Sequence, residues 1–249
     1  MLQQVKFTCT ALKGTDKKGV LSKDKFGYYE LPLGALNVFN SAGEYYPVEE
    51  SKKLFSSNSL LMSRIRNGRL RGELGHPKRD GLSKTEYIRR CSYIYEQCVC
   101  CHISEVWLDY ERFKDTAGRP IVGIFGKVCG SGPYADTFER DVNNPKANAC
   151  MSIRTFTDDL VMGGRVNKIL REIVTWDMVN EPGIESAAKF RSPTLEDMSI
   201  NVTRGEIEKA FMDDGLPISM ENSGVDVTRL LGSLGLLRQE EKKIITFGW

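Results

Sequence analysis

Residues 98–179 hold four runs rich in aliphatic, β-branched and aromatic residues: CVCCHISEVWLDYE, PIVGIFGKVCG, ANACMSIRTFTD and ILREIVTWDMV. The turn FKDTAGR between the first two predicts a hairpin. The segment SGPYADTFERDV predicts a short helix before the third run, and the turn GGRVNK leads from the third into the fourth. Strands that follow one another through turns pair antiparallel, whereas βαβ repeats need a helix between each pair. The pattern therefore implies an α+β fold with a mostly β core and helices attached.

The flanking regions add to this frame. Residues 1–35 carry two β-like runs, VKFTCTAL and FGYYELPL, separated by GTDKKG. After the turn SAGEYYP, one helix is expected over VEESKKLFSSNSLLMSRIRNG, with Pro47 at its start and Gly68 at its end. GELGHPKRDGLSKTEY reads as a loop. Beyond about residue 188 the polar stretch KFRSPTLEDMSINVT precedes two amphipathic helices, TRGEIEKAFMDD and VDVTRLLGSLGLLRQEEKK. Thr203 and Glu206 supply a T-x-x-E capping pattern at the first of these. The division expected is a 1–188 domain and a 189–249 helical tail, an interaction arm or a removable segment.

With 249 residues the chain is long enough for one sizeable core. Its net charge of +2 excludes nucleic-acid binding driven by bulk charge. No apolar run approaches the roughly 18–20 residues of a bilayer span, and MLQQVKFTCTALKG lacks a secretory layout. A soluble protein made in the cytoplasm is expected. Seven cysteines in irregular spacing suit reduced thiols. Cys98, Cys100, Cys101 and His102 invite a zinc or redox reading, but no second closely spaced ligand pair follows elsewhere in the chain. A buried strand, with cysteine packing as a small hydrophobe, is the expectation; no metal or cofactor is assigned.

Only two histidines exist. His102 lies in an apolar strand and reads as a satisfied core histidine. His76 lies between Gly75 and Pro77 in a loop, where an imidazole can serve as a general base or simply occupy a turn. Ser152 interrupts a β-like run beside Arg154, and Asp177 stands near the end of a strand before NEPG. Each alone has a bland structural explanation. Together they supply what a triad requires: a nucleophile, a proton acceptor and an acid that sets the acceptor's tautomer.

Several blocks resemble one family. GRLRGELGHPKR resembles the GEL-x-HP signature of the prohead core protein proteases of T4-type tailed phages. FNSAGEYYPVEESKKLF, CHISEVWLD, ACMSIRTFT and WDMVNEPGIESA resemble further blocks of that family, in its order, over roughly residues 37–188. Two departures are visible: the family's S-S-R-G reads Ser152-Ile153-Arg154-Thr155, and three residues, Gly183, Ile184 and Glu185, stand between Pro182 and Ser186-Ala187.

The resemblance implies a mainly antiparallel β-barrel wrapped by helices, similar to the herpesvirus assemblins. It also implies a serine endopeptidase that acts inside the immature phage head on scaffold and capsid proteins. His76 matches the catalytic histidine, Ser152 the nucleophile and Asp177 the third member, with Arg154 as loop or oxyanion support or as a partner of Asp158 or Asp159. Family members cut after glutamate and process themselves, which makes Glu196 and Glu185 the candidate self-cleavage sites. Self-association is expected, in part because Leu230, Leu231, Leu234, Leu236 and Leu237 need a covering surface. The competing expectation is a capsid-associated protein that keeps this fold without turnover.

Overall fold

The computed structural model describes residues 4–11, 21–40, 43–114, 120–180 and 198–212, together with residue 232. In chain order the strands are β1 (Gln4–Ala11), β2 (Tyr29–Leu36), β3 (Val38–Phe39), β4 (Tyr45–Tyr46), β5 (Arg71–Glu73), β6 (Val99–Lys114), β7 (Pro120–Gly130), β8 (Cys150–Met162), β9 (Arg165–Val179) and β10 (Met198–Thr203). The helices are α1 (Val48–Ser51), α2 (Leu60–Arg66), α3 (Lys84–Ser92), α4 (Ala135–Asn143) and α5 (Arg204–Met212).

The strands form two sheets. One has six strands in the order β10-β1-β8-β9-β4-β3, and the other four in the order β2-β7-β6-β5. Nearly all pairings are antiparallel, as hairpins dictate; the β6–β7 and β8–β9 pairs occupy the runs expected from the sequence. The expected closed barrel is not what these pairings make. Among the described residues the strands of the two sheets pair through an isolated parallel bridge, Leu74 to Met178, and not through a continuous ladder. The physical reason is length: β5 has three residues. It pairs with β6 on one side and can only lean on β9 with the other.

Alternation sorts the side chains. Along β2, Tyr29, Leu31, Leu33 and Ala35 point into the core at every second position. On β8 Met151 and Ile153 join the same core, and on β9 Trp176 and Met178 do so. The intervening residues, Ser152 and Arg154 on β8 and Thr175 and Asp177 on β9, therefore share the opposite face. All four are buried as well, so this polar face is covered and must be satisfied internally.

Three local expectations need correction. The single helix over residues 48–68 is broken into α1, a 3₁₀ turn at Lys52–Phe55, and α2. The Ser-Ser-Asn-Ser run at 56–59 interrupts it, and Ser59 restarts the helix by accepting a hydrogen bond from the Met62 amide. Gly68, at φ 65°, ends it. The stretch 72–87 is not all loop, because it contains the end of β5 and the start of α3. The signal was a Ser83–Glu86 capping box, present on both sides in the structure.

The third concerns the polar stretch at 198–203, which is β10, paired along β1 from Gln4↔Thr203 to Cys9↔Met198. α5 follows directly, and it packs on α3 through a Lys84–Glu206 ion pair at 2.7 Å and a hydrogen bond from Arg89 to the Ala210 carbonyl. Residues 198–212 thus pair with β1 and pack on α3. The proposed boundary at 188 and the leucines at 230–237 lie outside the described residues.

Candidate active site

β8 and β9 pair so that Ser152 faces Asp177 directly across the ladder. His76 arrives from the other sheet, three residues after β5. Its position is fixed from both sides. Gly75 adopts φ 79°, a left-handed turn that favours glycine, and donates its N–H to the Met178 carbonyl at 2.7 Å. The Pro77 carbonyl accepts from the Tyr87 hydroxyl at 3.0 Å. The seam between the two sheets thereby presents the imidazole to the polar face of the six-stranded sheet.

The three side chains meet. His76 Nδ1 lies 3.0 Å from Asp177 Oδ2, and His76 Nε2 lies 2.6 Å from Ser152 Oγ. Asp177 is fully buried. Burial alone pushes its carboxyl up, but the Arg154 guanidinium and His76 outweigh that and hold it below the usual carboxylate range. An ionised Asp177 accepts Nδ1–H and so favours, for the neutral imidazole, the tautomer whose Nε2 can accept the Ser152 hydroxyl proton. This is a geometry for general-base activation of a hydroxyl.

Arg154 stands two residues after Ser152 on the same face of β8. It does not reach Asp158 or Asp159, as one sequence expectation had it. Asp158 is taken by Arg171 and Asp159 by Lys168. Instead Arg154 Nε donates to Asp177 Oδ2 at 2.9 Å and Nη2 to Oδ1 at 2.7 Å, a two-pronged grip. Nη1 donates to the Tyr93 carbonyl at 2.6 Å.

Two residues that the sequence did not single out complete the cluster. The Glu73 carboxylate lies 3.3 Å from Arg154 and is gripped from α3 by Arg90, at 3.0 and 2.5 Å. It also accepts from the Tyr95 amide, and the Glu73 amide donates to Asp177 Oδ1. Glu73 is the acid of the GEL block, three positions before His76, and that proximity was the available signal. Arg90 carried none, since the capping box marks only the start of α3 and says nothing of which side chain faces Glu73.

Thr155 occupies the position where the resembled family has glycine. A register shift in β8 falls between Arg154 and Thr155, and the Thr155 hydroxyl donates to the Glu172 carbonyl at 2.6 Å. The added side chain is thus accommodated inside the sheet. His102 stays outside the site, with Nδ1 2.8 Å from the Tyr28 hydroxyl; burial, with Arg71 nearby, lowers its pKa. Cys100 and Cys101 are buried in the core. Among the described residues no group of three or more His, Cys, Asp or Glu gathers as metal ligands do. Glu185 and Glu196 lie outside the described residues.

A family profile, that of the Peptidase S80 family, matches residues 7–229. The chain belongs to the Peptidase S80 family. A relative within reach of direct comparison is a capsid maturation protease of Pseudomonas phage phiKZ. It is 41% identical over 198 residues, which span 78% of this chain and 72% of that protein. The solved structure of the bacteriophage T4 capsid assembly protease is also similar, with a TM-score of 0.45 at 15% identity, covering 72% of this S80 chain and 99% of that one. The family match extends past residue 203, so β10 and α5 lie inside it.

Proposed function

We propose that this S80 peptidase is a serine endopeptidase that cuts scaffold and capsid proteins inside the immature head of a phage. The observation that carries the proposal is the contact of His76 Nε2 with Ser152 Oγ at 2.6 Å, backed by Asp177 on Nδ1. Ser152 Oγ attacks the scissile carbonyl while His76 takes its proton. The same proton passes to the leaving amine, and Asp177 stabilises the transient imidazolium. Water then repeats the sequence on the acyl-enzyme. That the phiKZ relative is a capsid maturation protease supports capsid proteins as the substrate class and the immature head as the place of action.

A second reading, a capsid-associated protein without turnover, draws support from one number: Ser152 is 1% exposed. A peptide reaches that hydroxyl only after its cover moves. A serine-reactive fluorophosphonate separates the two readings. The active enzyme labels at Ser152, and His76→Ala lowers the labelling rate by about 10³-fold or more. Absence of labelling in assembled proheads leaves the second reading.

The self-processing reading places the cut after Glu196, with Glu185 as the other candidate. Intact mass measurement should find a shortened main fragment in the parent and full-length chain in Ser152→Ala. Identical termini in both would remove self-cleavage from the proposal.

A further inference from the structure

The triad does not end at Asp177. Behind it lies an ion cluster of two carboxylates, Asp177 and Glu73, and two guanidiniums, Arg154 and Arg90. Exposure of their side chains is 0%, 1%, 0% and 12% in that order. The formal charges sum to zero, which is the condition under which four ionised groups can stay in a dry interior. Each Asp177 oxygen accepts twice: Oδ2 from His76 and Arg154 Nε, and Oδ1 from Arg154 Nη2 and the Glu73 amide. A carboxylate bonded four ways cannot rotate without breaking several of these bonds.

We infer that Arg154 is a positioning residue that keeps Asp177 an acceptor, and so keeps the proton of His76 on Nδ1, with Glu73 and Arg90 seating the guanidinium. The inference rests on the serine-protease reading for its catalytic meaning, but not for its structural content. Without the guanidinium, the cluster keeps two carboxylates, Asp177 and Glu73, against the single cation Arg90, which is spent on Glu73, and the other titratable neighbours of Asp177 are His76 and two thiols. Cys91 is pushed up to about 12, mainly by burial. The Cys101 thiol is raised by its hydrogen bond with Cys100 and by burial. Both thiols stay neutral and offer no compensating charge. A buried carboxyl in such surroundings takes up a proton. Protonated, Asp177 becomes a donor towards Nδ1, the imidazole proton moves to Nε2, and Nε2 then points an N–H at Ser152 Oγ. In that tautomer His76 cannot accept the serine proton, although every atom remains in place.

The cluster also has a structural role, so loss of activity alone would not test the idea. The tautomer does. With only two histidines in the chain, ¹⁵N-histidine NMR resolves each ring. At pH 7 the parent protein should show His76 with its proton on Nδ1. Folded Arg154→Gln should show it on Nε2, with kcat for peptide cleavage at least 100-fold lower, KM within about threefold, and the acid limb of kcat displaced to higher pH. Arg154→Lys keeps a positive charge and should keep the parent tautomer with more than a tenth of kcat.

A folded Arg154→Gln protein that retains the Nδ1 proton overturns the inference, as does a folded Arg154→Lys protein that loses it. If Arg154→Gln does not fold, the lysine variant decides the matter. A parent protein that never cleaves peptides but shows the tautomer switch would sink the protease reading and leave this inference standing.

Discussion

At the scale of single residues, stability here depends on close approaches and on one ionisation. Gly72 is where β5 meets β9. A Cβ there would lie 2.2 Å from the Trp176 carbonyl oxygen and 2.7 Å from Cys101 Sγ. Backbone cannot yield to that extent without moving the seam, so Gly72→Ala should cost about 1–3 kcal/mol or more, read as a lower urea midpoint at unchanged m-value. It should also weaken peptide cleavage, because Glu73 and His76 follow on the same segment. Asp177 supplies the second test. Its folded-state pKa is depressed, so its contribution to stability is complete above the unfolded value of about 3.9. It is lost as pH falls through the lower folded value. Urea midpoints measured between pH 5 and pH 2 should fall steeply in the parent. Asp177→Asn should flatten that dependence while lowering stability at neutral pH.

At the scale of elements, β10 and α5 are the pieces whose role differs most from their appearance in the chain. β10 covers the outer edge of β1 over six paired positions, and β1 in turn pairs with β8 at Ala11↔Ser152. α5 rests on α3, whose Arg90 holds Glu73. A chain that stops after residue 197 uncovers a strand edge and one side of α3. Exposed edges of that length associate with other chains. The truncated protein is expected to elute from size-exclusion chromatography as aggregates, while full-length protein does not. A soluble, monomeric truncation with a native circular dichroism spectrum would show that β10 and α5 are dispensable.

The same elements show where sequence reading succeeds. The β6–β7 and β8–β9 hairpins and α4 declare themselves, because alternation and turn residues are local signals. β5 and α3 did not. Three residues cannot show alternation, and the nine-residue helix KTEYIRRCS offers only Tyr87, Ile88 and Cys91 as an apolar stripe, too short a run to stand out beside its capping box.

At the scale of the whole molecule, the candidate site belongs to neither sheet. Ser152 and Asp177 come from the six-stranded sheet, and His76 follows the shortest strand of the other. The seam is held by the Gly75–Met178 bond, the Glu73–Asp177 bond and a hydrogen bond from the Thr175 hydroxyl to the Arg71 carbonyl. Because β10 and α5 are bound to the rest by pairing and packing and not only by chain connectivity, a cut after Glu196 should leave both fragments together. They should co-elute under native conditions and separate in denaturant. Separation without denaturant would mean that the pairing to β1 is too weak to hold the nicked protein.

His76, Ser152 and Asp177 could be named from the sequence because each sits beside turn or strand residues that mark its surroundings, and because the blocks around them resemble a family. Strand alternation even assigns Ser152 with Arg154, and Thr175 with Asp177, to one face. Local order along a chain determines such things, since the periods of helices and strands are written into consecutive residues. Only the tertiary structure decided that Arg154 grips Asp177, that Glu73 and Arg90 close the charge balance, that the sheets stay two, and that residues 198–212 complete the first of them. Those outcomes depend on which groups become neighbours once water is excluded. A buried guanidinium chooses among Asp158, Asp159 and Asp177 by the geometry of the fold and by charge compensation, and neither is visible in the spacing of letters.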